Sequence, residues 1–130
     1  MIDKHFSTGN LAHCAIFVKD LAVTLNFYCD ILGFKQCGKY HDDTVFLSLG
    51  TMVLEIICDG KDHIPENRNE KRHLAICCKH IESLYEYLKF QKIEIEEPGL
   101  VTLNDFGKKG CKYILFRGPE QERLEFQEIL

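Results

Sequence analysis

Apolar and polar residues alternate over short stretches of this chain, and a helical spacing replaces that alternation twice. Residues 11–18 predict a β-strand, and Asp20 then provides a typical N-cap for a helix that Gly33 ends. The apolar face of this helix is predicted to contain Leu21, Leu25, Tyr28 and Leu32. Three more strands are expected at 34–37, 44–49 and 51–58.

The second half of the chain repeats this order of elements. A strand is predicted at 73–78, followed by a helix whose apolar positions recur at helical spacing from Ile81 to Leu88. Strands are then expected at 92–96, 112–116 and 123–129. Each half therefore predicts βαβββ, and we expect an α+β fold of two tandem modules, each with a mixed sheet and one helix.

Polar segments give the expected boundaries of these modules. The predicted divisions are a polar N-terminal segment at 1–10, a first module at 11–58, a linker at 59–71 and a second module at 72–130. A four-stranded module of this size buries little apolar surface by itself. We therefore expect the two modules to form one structural domain.

The two halves also share chemically distinctive residues. When the sequence is shifted by 60 positions, residues 11–21 align with 71–81, and His13 aligns with His73. A shift of 70 positions aligns Glu55 with Glu125. Two imidazoles and two carboxylates form a suitable ligand set for a borderline divalent metal ion.

Simpler explanations exist for each of the four residues alone. A single histidine on an apolar strand is usually a hydrogen-bonded structural residue, and a solvated edge strand would explain Glu125. Glu55 is harder to explain, because aliphatic residues surround it on both faces of its strand and a buried carboxylate needs a partner. The matched positions in two copies favour one shared metal site.

The composition of the chain argues against some classes of binding partner. The chain has 130 residues, 45% of them hydrophobic and 28% charged, with a net charge of −4, which argues against a nucleic-acid-binding surface. Its apolar runs are shorter than the roughly 20 residues of a membrane span, and residues 1–10 lack the apolar core of a signal peptide. Seven cysteines, mostly within apolar runs, are expected to be reduced. We therefore expect a cytoplasmic protein with no nucleic-acid or membrane partner.

Residues 13–34 resemble the opening module of the vicinal oxygen chelate superfamily, the glyoxalase/bleomycin resistance/dioxygenase proteins. The resemblance rests on His13, the helix start at Asp20, and the segments 27–28 and 32–34. It implies paired βαβββ modules that form a cupped mixed sheet around one divalent metal, and often a homodimer. It also implies that the metal ligands are His13, Glu55, His73 and Glu125.

Within the superfamily, this set of four ligands is most similar to that of glyoxalase I. The resemblance then implies isomerisation of the hemithioacetal of methylglyoxal and a thiol such as glutathione to an S-lactoyl thioester. Nickel or zinc would be the metal, with cobalt as a third option. Glu125 would act as the base and Glu55 as the opposing ligand that can share this role. Phe17 and Ala75 would line the substrate site.

Two positions depart from the bacterial glyoxalase I pattern. Phe17 stands where an arginine commonly holds a glutathione carboxylate, and Asp59 stands where an asparagine is common. Lys108, Lys109 and Arg117 are alternative contacts for an anion. Two other functions therefore remain open: a different metal-dependent enzyme of this superfamily, such as a thiol transferase or an epimerase, and a metal-free resistance protein that binds a small molecule.

Overall fold

The chain divides into two compact units in a computed structural model that describes residues 5–130. The first unit ends at Lys61, and the second is Asp62–Leu130. Of the predicted N-terminal segment 1–10, residues 1–4 lie outside the described part of the chain. The division falls within the polar stretch 59–71.

The first unit is one mixed four-stranded sheet with a helical segment. Its strands are β1 (Cys14–Val18), β2 (Lys35–Tyr40), β3 (Thr44–Leu49) and β4 (Met52–Cys58), and its helix α1 (Leu21–Leu25) continues into a π-helical turn, Asn26–Ile31. The strand order is β1-β4-β3-β2, with β1 parallel to β4 and the other neighbours antiparallel.

The second unit repeats this topology. Its elements are β5 (Leu74–Cys77), α2 (Ile81–Phe90), β6 (Val101–Leu103), β7 (Cys111–Arg117) and β8 (Arg123–Ile129). The strand order is β5-β8-β7-β6, with β5 parallel to β8 and the remaining pairs antiparallel. The predicted α+β fold of two tandem βαβββ modules is confirmed.

Each sheet has one buried and one more open face. On β4, Leu54 and Ile56 are fully buried, whereas Glu55 between them is only partly buried. On β8, Leu124 and Phe126 are buried and Glu125 is again partly exposed. Because side chains alternate along a strand, both glutamates project from the face opposite the apolar core of their unit.

The first helix differs from its prediction beyond its N-terminus. Asp20 caps it as expected, with Oδ1 accepting a hydrogen bond from the Val23 amide at 3.1 Å. The buried residues are Thr24, Phe27 and Tyr28, whereas the predicted face Leu21, Leu25 and Leu32 is only half-buried. The wider π-helical turn shifts the residues that face the core, and a regular helical spacing does not anticipate it.

The second helix begins where the spacing indicates. The amides of His80 and Ile81 both donate to the Glu128 carboxylate at 3.1 Å, which satisfies two N–H groups at the start of α2. Ile81 and Leu88 are fully buried. Within residues 5–130, neither helix is long and apolar enough to cross a membrane.

The prediction of a strand at 92–96 is wrong. This segment makes only an isolated bridge between Ile95 and Phe116, and the fourth strand of the sheet is Val101–Leu103. Backbone hydrogen bonds join Glu94 and Glu96 to β7, and Pro98, which lacks an amide hydrogen, cannot extend this ladder. The chain turns at Gly99 and enters the sheet only at β6.

Candidate functional site

The first histidine–glutamate pair arises from two neighbouring parallel strands. Ala15 of β1 lies opposite Glu55 of β4, and His13 lies two residues before Ala15, immediately ahead of the strand. The same spacing directs His13 and Ala15 to one face, and the small alanine leaves room above it. His13 Nε2 lies 3.4 Å from Glu55 Oε1.

The second pair repeats this geometry in its own unit. Ala75 of β5 lies opposite Glu125 of β8, and His73 immediately precedes β5. His73 Nε2 lies 3.2 Å from Glu125 Oε1. Strand β8 lies between β5 and β7, so the alternative explanation of Glu125 as a residue of a solvated edge strand is wrong. Its side chain is only 12% exposed, compared with 21% for Glu55.

The separation within each pair fits two ligands of one metal ion. Ligand atoms about 2.1 Å from an ion lie roughly 3.0 Å apart at a right angle and roughly 3.4 Å apart at a tetrahedral angle. The His–Glu distances of 3.2 and 3.4 Å fall within this range. Imidazole nitrogen and carboxylate oxygen are donors that zinc and nickel accept. Each unit therefore presents two of the four predicted ligands in a geometry suited to metal binding.

The two histidines are held by different contacts. His73 Nδ1 lies 2.7 Å from the Lys71 carbonyl oxygen, so Nδ1 carries the proton that it donates to this carbonyl. With Nδ1 as the donor to this carbonyl, Nε2 is the ring nitrogen that faces Glu125 and is available as a metal ligand. His13 instead makes an edge contact with the Phe46 ring, with 6.0 Å between the ring centroids.

Residues 5–130 contain no group of three or more histidine, cysteine, aspartate or glutamate side chains placed to hold a metal ion. The structure brings His13 together with Glu55, and His73 together with Glu125. Each pair contains two of the four predicted metal ligands. All seven cysteines are free thiols, and none of them joins either pair.

The predicted substrate-binding residues lie on the open faces or next to them. Phe17 is 51% exposed and pairs with Ile57 of β4. Ala75 is exposed beside His73. Asp59 follows β4, and its Oδ1 accepts a hydrogen bond from the Lys61 amide at 3.0 Å, so it shapes the turn after the strand.

The sequence interpretation missed a group of charges beside Glu125, which we call the arginine cluster: Arg117, Arg123 and Glu96. Glu96 accepts two hydrogen bonds from Arg123, at 2.8 Å from Nε and 2.6 Å from Nη2, and lies 3.2 Å from Arg117 Nη2. The hydrogen bonds from Arg123, with the nearby positive charges, hold the pKa of Glu96 below its usual value. The signal in the sequence was an arginine two residues before Glu125.

Of the alternative anion contacts, Lys108 and Lys109 are exposed, whereas Arg117 is buried. Arg117 Nη1 donates to the Gln121 carbonyl at 2.9 Å, and Nη2 donates to the Arg68 carbonyl at 2.7 Å. Its hydrogen bonds therefore fasten two loops of the second unit to β7.

Comparisons with known proteins agree with this architecture. The model of the Glyoxalase/Bleomycin resistance protein/Dioxygenase superfamily matches residues 10–126. A glyoxalase family protein from Enterococcus faecalis is 31% identical, with a TM-score of 0.74, over 92% of this chain and 97% of that one.

Two more distant structures share the fold. A glyoxalase/bleomycin resistance protein/dioxygenase from Alicyclobacillus acidocaldarius is 23% identical, with a TM-score of 0.73, over 93% of this chain and 92% of that one. A virulence protein from Salmonella typhimurium is 18% identical, with a TM-score of 0.74, over 96% of this chain and 100% of that one. No curated protein matches the chain.

Proposed function

Because the chain belongs to the glyoxalase/bleomycin resistance/dioxygenase superfamily, we propose that it is a metal-dependent enzyme acting on a small molecule with two neighbouring oxygens. The observation that carries this proposal is the repeated His–Glu pair at 3.4 and 3.2 Å. His13, Glu55, His73 and Glu125 would together hold one divalent ion, nickel or zinc in the first place and cobalt as a third option.

The reaction we propose is that of glyoxalase I. The substrate is the hemithioacetal of methylglyoxal and a thiol such as glutathione, and the product is the isomeric S-lactoyl thioester. A bound divalent ion supplies Lewis-acid stabilisation of negative charge on the substrate oxygens.

Glu125 is the proposed base. Its carboxylate takes the proton from the carbon that carries sulfur and returns it to the neighbouring carbonyl carbon, while the hydroxyl proton moves to the former carbonyl oxygen, so that no atom is gained or lost. Its side chain is the less exposed of the two glutamates, at 12% against 21%, so water competes less with the substrate for this carboxylate. Glu55 is the opposing ligand and can share the proton transfer.

A second candidate is another metal-dependent reaction of the same superfamily, a thiol transfer or an epimerisation. Phe17 and Asp59 favour it, because an exposed aromatic ring and a carboxylate do not attract an anionic tripeptide such as glutathione. A metal-free resistance protein is the third option.

The first experiment measures S-lactoylglutathione formation by protein loaded with nickel or zinc, with the metal content determined on the same sample. We expect turnover in the wild type and a loss of about 10²- to 10⁴-fold in Glu125→Gln, with the metal largely retained. The matched control is Glu86→Gln on α2, where the exposed Glu86 carboxylate pairs with Lys89. It should keep wild-type turnover.

Each other outcome of this experiment selects a different function. Wild-type turnover in Glu125→Gln would exclude Glu125 as the base. Metal-loaded protein without turnover would leave the proposed metal site and exclude the hemithioacetal, which favours the thiol transferase or epimerase. Protein that binds no metal, with no thermal shift on adding nickel, cobalt or zinc, would favour the metal-free resistance protein.

We further propose that the protein is a cytoplasmic homodimer. The free state of all seven cysteines fits a reducing compartment. Light scattering coupled to size-exclusion chromatography measures the mass in solution, and a mass close to the 15.1 kDa of one chain would contradict the dimer.

A further inference from the structure

The arginine cluster places two guanidinium groups beside one carboxylate. Arg117 of β7 and Arg123 of β8 are directly opposite cross-strand neighbours, and Glu96 contacts both. Two nearby arginines do not change this balance, since Arg68 pairs with Glu94 and Arg72 pairs with Glu70. The three residues of the cluster therefore sum to one positive charge, and the carboxylates of Glu70 and Glu125 also act on Arg123 from outside the cluster.

The two arginines differ in whether an Nη group remains available to bind a ligand. Arg117 has both Nη atoms engaged and its side chain is only 3% exposed. Arg123 uses Nε and Nη2 for Glu96, so the hydrogen bonds that it makes within residues 5–130 leave Nη1 for another acceptor. Its side chain is 17% exposed. Within residues 5–130, Nη1 is not one of the buried side-chain atoms that lack a hydrogen-bond partner. Arg123 is therefore held in a fixed orientation with one free donor group.

The first unit provides an internal comparison for this position. Phe46 lies opposite Glu55 and Leu115 lies opposite Glu125, so Ser48 and Val53 are the counterparts of Arg117 and Arg123. This uncharged pair occupies the same place in the same sheet topology. The βαβββ fold therefore does not require two arginines there, and their presence is specific to the second unit.

We propose that Arg123 binds an anionic group of the substrate, a carboxylate or a phosphate, while the vicinal oxygens of that substrate lie at Glu125 and His73. Arg123 and Glu125 are two residues apart and share a face of β8, which places their Cα atoms about 7 Å apart. A guanidinium group fits both kinds of oxyanion. This inference rests on the proposed function and narrows its substrate class to compounds with an anionic group a few bonds from the chelating oxygens.

The test compares ligands that share a chelating head. Isothermal titration of nickel-loaded protein measures the Kd of acetohydroxamate, of succinic monohydroxamate, which adds a carboxylate, and of 3-phosphonopropionohydroxamate, which adds a phosphonate. We expect one of the anionic compounds to bind at least about tenfold more tightly than acetohydroxamate. A preference for the carboxylate or for the phosphonate shows which kind of oxyanion the site favours.

Two variants assign this preference to its residue. Arg123→Gln should reduce it to less than about twofold while leaving acetohydroxamate binding and metal content unchanged. Lys112→Gln is the matched control, since it removes a cation from the same sheet that is bonded to Glu82 on α2. It should retain the preference. Equal binding of all three ligands by the wild type, or a preference that survives in Arg123→Gln, would overturn the inference.

A measurement without metal separates this inference from the proposed function. The arginine side-chain N–H resonances of metal-free protein can be followed by NMR while sodium succinate or inorganic phosphate is added. We expect saturable shifts of the Arg123 resonances, assigned by their loss in Arg123→Gln. Protein that binds no metal but shows these shifts would refute the metal site and support the anion site. The absence of shifts with both anions would refute the anion site.

Discussion

Glu96→Gln should destabilise the second unit, because Glu96 is the carboxylate between two arginines. The change removes a negative charge that accepts hydrogen bonds at 2.6 and 2.8 Å and lies 3.2 Å from a second guanidinium group. Glu96 is 19% exposed, and Arg117 and Arg123 are 3% and 17% exposed. Removing one partner of a buried pair costs about 3–5 kcal/mol. Partial exposure and the remaining amide oxygen reduce the expected loss to about 2–3 kcal/mol.

The pH dependence of this loss has a definite sign. Arg123 holds the pKa of Glu96 below its usual value, so folding favours the ionised form. The stabilisation is fully present above the unfolded-state pKa of about 4.3 and disappears as the pH falls through the lower pKa of the folded state. The difference between wild type and Glu96→Gln should therefore be full at neutral pH and shrink on acidification.

Urea denaturation followed by circular dichroism measures both effects. Glu86→Gln, which removes an exposed carboxylate from α2, is the control and should leave the free energy of unfolding essentially unchanged. Adding Arg123→Gln to Glu96→Gln should restore part of the lost stability, because two cations then no longer face each other without a carboxylate. A loss below about 0.5 kcal/mol, or one that is equal at neutral and acidic pH, would refute the reasoning.

Two further predictions concern the helix start and the thiols. Asp20→Ala removes the acceptor of the Val23 amide and should lower the free energy of unfolding by about 1 kcal/mol, whereas Asp20→Asn should restore most of it; equal losses in both variants would contradict a capping role. Burial, with Glu128 nearby, raises the pKa of the Cys78 thiol to about 11, compared with 9.0 for a model thiol. At neutral pH its alkylation by iodoacetamide, followed by mass spectrometry, should be about a hundredfold slower than that of an unperturbed thiol, and labelling of Cys78 as fast as that of exposed Cys77 would contradict this expectation.

The internal repeat made the fold predictable from the sequence and singled out two histidines and two glutamates, but not which histidine lies beside which glutamate. Matching His13 to His73 and Glu55 to Glu125 placed each residue at a corresponding point of its module, and the parallel pairing of β1 with β4 and of β5 with β8 brings the members of each pair together. Alternation along the strands also indicated which residues share a face with each glutamate. The order of elements and the repeated residues depend on local patterns, which a single sequence retains.

One wrong prediction has a local cause, and the missed charge cluster depends on contacts between distant segments. The segment 92–96 has the alternation of a strand, but Pro98 and the turn at Gly99 leave it with one bridge. Glu96, Arg117 and Arg123 come from three separate stretches, and each alone resembles an ordinary solvated charge. Their cluster exists only because β7 pairs with β8 and the segment before Pro98 runs beside β7.

The contrast between the two units indicates how a repeated module can specialise. Both copies keep a small residue beside the histidine, Ala15 or Ala75, and a glutamate on the adjacent strand, because metal coordination would need the same donors at the same spacing in each. The next cross-strand pair on the same face, two residues from each glutamate, is free of that requirement. There the first unit has Ser48 and Val53, whereas the second has two arginines. Selection for a particular substrate can act on these positions without disturbing the proposed ligands. We therefore infer that the proposed metal chemistry depends on what the copies share and that the proposed substrate preference depends on where they differ, with Arg123 as the residue that tests this division.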